Sequence, residues 1–214
     1  MVRPVNINRV KAIIAKRVPF VRVYSYQDEA VLERLKTQGF INGNHPHGFM
    51  TGPYRWMRNQ MAERLPDFSG DLPIWAWLRR WDRYKIKRNT EKLVRITATV
   101  PVQRVLLSNF DSWHIVLNLG YIAETEAEDD AFDAAQHAPA DKIRLCQESW
   151  KRVFDPDLRY CDSRSWQVCV DRIYAHEVVD LRQHDPLPHR YRPVTEDCEP
   201  WDGDWCAGWF PPPP

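Results

Sequence analysis

No apolar run in the 214 residues is long enough to cross a bilayer, so no membrane-spanning helix is expected. The N-terminus carries Arg3, Lys11, Lys16 and Arg17 around a short apolar patch. It lacks the apolar stretch and small-residue cleavage site of a secretory signal, and a cytoplasmic protein is expected. Net charge is only +1, which excludes a global field drawing the chain to nucleic acid or a membrane surface. The five cysteines are odd in number and lack a metal-type C-x-x-C, so neither a zinc site nor a disulfide framework is expected. Cys146, Cys161 and Cys169 read as reduced thiols. The loop between Cys198 and Cys206 can close a disulfide, but a reducing compartment keeps it open. No internal repeat is present. No Gly-rich loop follows the first expected strand, and that removes the dinucleotide-fingerprint and P-loop folds. No compact carboxylate cluster suggests a metal-dependent nuclease.

What is present is a globular composition, 43% hydrophobic, in a chain long enough to bury a sizeable core. Strands and helices interleave. Phe20 to Tyr26 alternates, a helix capped by Asp28 carries Ala30, Val31, Leu32 and Leu35, and Gly39 fits its C-terminus. Gly52-Pro53 opens a second helix and Pro66 to Pro73 is a turn-rich connection. Ile74 to Leu78 and Leu93 to Val100 read as strands, the latter by strict alternation. Val105 to Leu107 leads into a helix start with Asp111 in its first turn. Helical character resumes near Ala131 and over Lys142 to Phe154; Trp166 to Ile173 and Val178 to Leu181 are extended. The expectation is one α+β domain over residues 20–182, with a mixed or antiparallel central sheet flanked by helices. Residues 1–19 read as an arm with a short helix capped by Asn8, and 183–214 as a Trp/Pro-rich tail.

Ten tryptophans admit two readings, a tryptophan-rich core or a stacking surface for a flat ligand such as a nucleobase or nicotinamide. Asp111 and His114, three apart, read either as a carboxylate orienting a histidine for proton transfer or as a first-turn charge and a core histidine. Asn118 shares a helical face with His114. Glu148 is either a catalytic acid or a solvated helix charge. His45-x-His47 is too sparse for a metal site, and no metal is expected. Arg79, Arg80, Arg83, Lys85, Lys87 and Arg88, interleaved with Trp81 and Tyr84, form either a nucleic-acid contact or a solvated hairpin.

The strings Tyr54-Arg55-Trp56-Met57, Pro73-Ile74-Trp75-Ala76-Trp77, Leu107-Ser108-Asn109-Phe110-Asp111-Ser112-Trp113-His114 and Gln147-Glu148-Ser149-Trp150 resemble an uncharacterised bacterial and phage family with no assigned activity. More distantly, Val23-Tyr24-Ser25-Tyr26-Gln27 with the following helix and Gly39 looks like the start of ADP-ribosyltransferase domains. Trp166 to Ile173 with Val178-Val179 looks like the late strand of that fold, where Gln167 stands in place of a glutamate. That resemblance implies NAD as substrate, held by Tyr24, Ser25, Gln27, Trp75 and Asn118. Gln167 would orient the ribose, and His114 and Glu148 would move protons. It implies a macromolecular acceptor, protein or nucleic acid, and a toxin or phage-conflict role. It also requires positions 25 and 167 to lie on adjacent strands, with residues 108–118 lining the same hollow. The alternative is a non-catalytic module whose tryptophan-lined groove binds a protein or nucleic acid.

Overall fold

The computed structural model describes residues 6–44, 52–80, 92–158 and 165–184. The eight strands among these residues are β1 (Phe20–Asp28), β2 (Phe40–Asn42), β3 (Ile74–Trp77), β4 (Leu93–Pro101), β5 (Leu106–Asn109), β6 (Trp166–Val170), β7 (Arg172–Tyr174) and β8 (Val178–His184). The six helices among the described residues are α1 (Ile7–Ile14), α2 (Val31–Gln38), α3 (Gly52–Arg64), α4 (Phe110–Leu117), α5 (Glu126–Ala134) and α6 (Pro139–Ser149). The main sheet runs β5-β6-β3-β1-β4-β8, every neighbouring pair antiparallel, and β2 pairs with β7 in a small second sheet. The fold is a single α+β domain around an antiparallel six-stranded sheet, as the strand-rich sequence implied.

Residues opposite one another across antiparallel strands share a face. One face therefore collects Val21, Val23 and Ser25 from β1, Ile96 and Ala98 from β4, Ala76 from β3, and Val168 and Val170 from β6. Against it pack α1 and α2, through Val10, Ile13, Val31 and Leu35. The other face presents Trp75 and Trp77 from β3, Gln167 and Cys169 from β6, and Leu106 and Ser108 from β5. Helix α3, with Trp56, Met57 and Met61, joins Trp113, Val116 and Trp150 in covering this side. A β6 buried at every position follows from having a core on each face.

Several local expectations change. Asn6, not Asn8, caps α1, its side-chain oxygen accepting from Asn8 N at 2.9 Å. The arm is not peripheral: Val10 and Ile13 are core residues, and Lys16 Nζ donates to the Val102 and Val105 carbonyls at 2.8 Å each. Ala30 rather than Asp28 sits at the α2 N-cap, while Gly39 closes that helix at φ 75°, the left-handed conformation glycine adopts without strain. The extended run 166–173 is broken at Asp171, whose carboxylate accepts from Ser69 N and Arg172 N; beyond it β7 belongs to the second sheet. The helix expected to reach Phe154 is α6, ending at Ser149 and followed by a 3-10 turn over Trp150–Phe154. The expected loop histidines 45 and 47, the tail from 185 onward, and Cys161, Cys198 and Cys206 lie outside the described residues.

Candidate functional site

The β1–β4 ladder is continuous, from Phe20 opposite Pro101 to Asp28 opposite Leu93. The β1–β3 junction holds one register pair, Tyr24 opposite Trp77. Beyond that pair the two strands part. A side chain spans part of the gap: Ser25 Oγ donates to the Trp75 carbonyl at 2.9 Å, and Gln27 Nε2 donates to Ser25 Oγ at 2.7 Å. This parting opens a cavity of about 450 Å³ that Tyr26 and Gln27 line from β1, and Ile74, Trp75 and Trp77 from β3.

Three further pieces complete the walls. Helix α3 brings Tyr54, α4 brings Phe110, Trp113, His114 and Leu117, and β6 brings Gln167. The rim is Gly43, Leu72 and Pro73. Two aromatic groups result. Tyr54 meets Trp113 edge-on at 5.7 Å between ring centres, and Trp113 lies 4.8 Å from Trp75. Trp77 lies 5.0 Å from Phe110, which meets His114 at 4.4 Å. Burial pushes the Tyr54 phenol up from its ordinary pKa, so it stays neutral.

The polar groups are few and uncharged in type. Helix α4 begins at Asn109, whose side chain accepts from Ser112 N at 2.9 Å. That start puts the Phe110 carbonyl 2.8 Å from His114 Nδ1. A carbonyl only accepts, so Nδ1 is the donor of this pair, and in the neutral tautomer the lone pair stands at Nε2. The orienting partner is thus a backbone carbonyl rather than Asp111. Gln167 is 3% exposed, and its Nε2 is buried with no partner among the described residues; so is Trp75 Nε1. Both residues line the cavity, but these two nitrogens are themselves buried away from its open space. The described lining residues include no carboxylate and no Lys or Arg. Beside Gln167, Ser108 Oγ and Cys169 Sγ are 3.8 Å apart; burial drives the Cys169 thiol far up, which makes it an inert core thiol.

The rim is anchored by ion pairs. Gly43 N donates to the Leu72 carbonyl at 3.0 Å, and Asn44 Oδ1 accepts from Leu72 N at 2.8 Å. A Cβ at Gly43 would stand 2.3 Å from the Pro73 oxygen, so only glycine permits this approach. Asp71 pairs with Arg172 of β7. Burial pushes the Asp71 carboxyl up, but its bonds to Arg172, Asn42 and Ser69 outweigh that and hold it below the usual carboxylate range. Arg104 bonds Glu177 at 2.7 Å and the Arg172 carbonyl, tying the second sheet to the first.

Of the residues singled out in the sequence, Gln27, Trp75, His114 and Gln167 meet in this one cavity. Strands β1 and β6 are not adjacent, because β3 lies between them, so the requirement that positions 25 and 167 sit on adjacent strands is not met; Gln27 of β1, not Ser25, shares the cavity with Gln167. Ser25 is fully buried behind Gln27 and does not line the space. Tyr24 lies outside the lining, with the Arg80 guanidinium 5.8 Å from its ring centre. Asn118 caps α4, Nδ2 donating to the His114 carbonyl at 2.7 Å, and Glu148 is exposed on α6, bonded to Arg144 at 3.0 Å; neither lines the cavity. Arg83, Lys85, Lys87 and Arg88 lie outside the described residues. The lining residues to which the sequence reading gave no site role are Tyr54, Phe110 and Leu117, with Gly43, Leu72, Pro73 and Ile74. Tyr54 and Phe110 each sit in a helix's first turn, inside a string already quoted for the family resemblance. Among the described residues no group of His, Cys, Asp and Glu could hold a metal, and no helix is long and apolar enough to cross a membrane.

The family described as Domain of unknown function (DUF3841) matches residues 22–174, well over half of the chain. Helix α1, all of β8 and the C-terminal tail fall outside the match. No curated protein and no solved structure matches the chain.

Proposed function

Because the chain belongs to this family, whose description assigns no activity, we propose a function from the cavity itself: it binds the planar ring of a nucleotide, with NAD the first candidate, and uses it as an ADP-ribosyltransferase-like enzyme. The observation that carries this reading is a pair of aromatic groups flanking a space edged by two amides and an imidazole. Flat rings stack on indole and phenyl faces regardless of substituent, and a few polar groups fix their orientation. Trp75 and Gln167 each also keep a buried donor that has no partner among the described residues.

The chemistry is breakage of the nicotinamide–ribose bond. The electron pair leaves with nicotinamide, an oxocarbenium-like centre forms on the ribose, and a nucleophile of the acceptor adds to it. His114 Nε2, with Nδ1 held by Phe110, is the group suited to take the proton released by that nucleophile. Gln167 would hold a ribose hydroxyl. Arg79 and Arg80, at the end of β3, leave room for a nucleic-acid acceptor, and a protein acceptor serves the same chemistry. A cytoplasmic site of action and a toxin or phage-conflict role fit that reading.

A second reading, recognition without transfer, is favoured by one observation. The described lining offers no carboxylate to stabilise the developing cation, and Glu148 is paired with Arg144 elsewhere. Incubation with labelled NAD plus lysate or nucleic acid, alongside calorimetry, separates the two. Label transfer that disappears in Gln167→Ala supports the enzyme. Binding of NAD without transfer supports recognition alone. Absence of NAD binding removes NAD from the account.

A further inference from the structure

We infer that Ser25 sets the polarity of the cleft, and that the ligand's ring must carry an exocyclic N–H donor, a primary carboxamide or an amine, rather than a carboxylate. This deepens the ring-binding reading above and rests on it.

A serine hydroxyl has one proton to give. The Trp75 carbonyl can only accept, so Ser25 spends that proton there, at 2.9 Å. Its oxygen is left with lone pairs alone. Gln27 can then meet Ser25 only through its nitrogen, at 2.7 Å. The orientation of a glutamine amide is ordinarily ambiguous between its oxygen and nitrogen ends. Here a backbone carbonyl two bonds away decides it. The far end of the amide is Oε1, an acceptor, on a residue that lines the cavity.

The facing wall repeats the device. The Phe110 carbonyl holds His114 Nδ1 as a donor, so in the neutral tautomer Nε2 is an acceptor. Two acceptors are thus oriented by main-chain carbonyls of β3 and α4. The described lining holds no Lys or Arg to balance an anion. A carboxylate would press its lone pairs against Gln27 Oε1 in a partly dry space, whereas an –NH2 group donates to it and leaves His114 Nε2 for the transfer step.

Calorimetric titration of the full chain with nicotinamide, N,N-dimethylnicotinamide and nicotinate tests this. Nicotinamide is expected to bind about tenfold tighter than either analogue, the worth of one hydrogen bond to a fixed acceptor. Ser25→Ala frees the Gln27 amide to turn, and the preference for nicotinamide should fall toward one while the dimethyl analogue still binds. Gln27→Met, at a partly exposed position, should do the same, and it carries the test if Ser25→Ala does not fold. A purely structural Ser25 would lower all three affinities together. Equal binding of nicotinate, no binding of any probe, or an unchanged preference in the variants overturns the inference. Discrimination among the small rings without NAD binding would sink the NAD reading alone. NAD binding with no discrimination would sink this inference alone.

Discussion

The two edges of β1 behave differently. Toward β4 the strand is paired along its whole length, and the apolar residues of both strands pack under α1 and α2. Toward β3 it is paired once and then diverges, and the space so made is walled by aromatic rings. A backbone carbonyl left without its ladder partner must find another donor. On the β3 side the donor is a side chain, Ser25, and that substitution ties the integrity of the sheet to the polarity of the cavity. The paired edge should therefore govern stability, and the parted edge should govern what binds.

The largest effect is expected on the paired edge. Ile96→Ala removes a fully buried side chain opposite Ser25 and should cost about 2–5 kcal/mol in denaturant unfolding, with ligand affinity of the folded fraction unchanged. A comparable loss of affinity would show the two edges are not separable. Next comes the rim. Gly43→Ala places a Cβ against the Pro73 and Leu72 carbonyls and should cost about 1–3 kcal/mol through the forced backbone shift, with weakened ring binding as well. Unchanged stability and affinity would mean the rim does not shape the cavity.

Asp71 gives a pH test of the same rim. Its folded carboxyl titrates below the usual carboxylate range, so its contribution is complete above that range and disappears as pH falls through the depressed value. Thermal melts of the natural protein should lose stability on acidification there, and Asp71→Asn should flatten that acid limb while lowering stability at neutral pH. An identical acid limb in the variant would remove Asp71 from the account. The smallest effect is expected at Glu148→Gln, an exposed partner of Arg144, which should stay within about 0.5 kcal/mol of the natural protein and leave ring binding untouched. A lost activity there would restore Glu148 as a site residue.

Much of the fold was legible because its signals are local. The alternation of 93–100 reports a strand, though Arg95 and Thr97 on its polar side are buried as well; Gly39 stops α2, and Gly52-Pro53 starts α3. The cavity was half legible: Gln27, Trp75, His114 and Gln167 sit in motifs whose residue types suggest recognition. Strand order was not legible, since inserting β3 between β1 and β6 depends on pairing residues about fifty and ninety positions apart in sequence, which no local pattern encodes. The same holds for Asp171, whose chain-breaking role depends on Ser69 arriving from a hundred positions away. Tyr54 reads as one residue of an ordinary helix until α3 is laid over Trp75 and Trp113.

A crystal structure of the full chain grown with a carboxamide-bearing ring such as nicotinamide tests the central claim most directly. The account predicts the ring seated where β1 and β3 part, between the Trp75–Trp113 and Trp77–Phe110 groups, with its amide within hydrogen-bond distance of Gln27 Oε1. A ring bound anywhere else on the molecule, or a cavity closed by its own tryptophans while the ligand binds outside it, would contradict it.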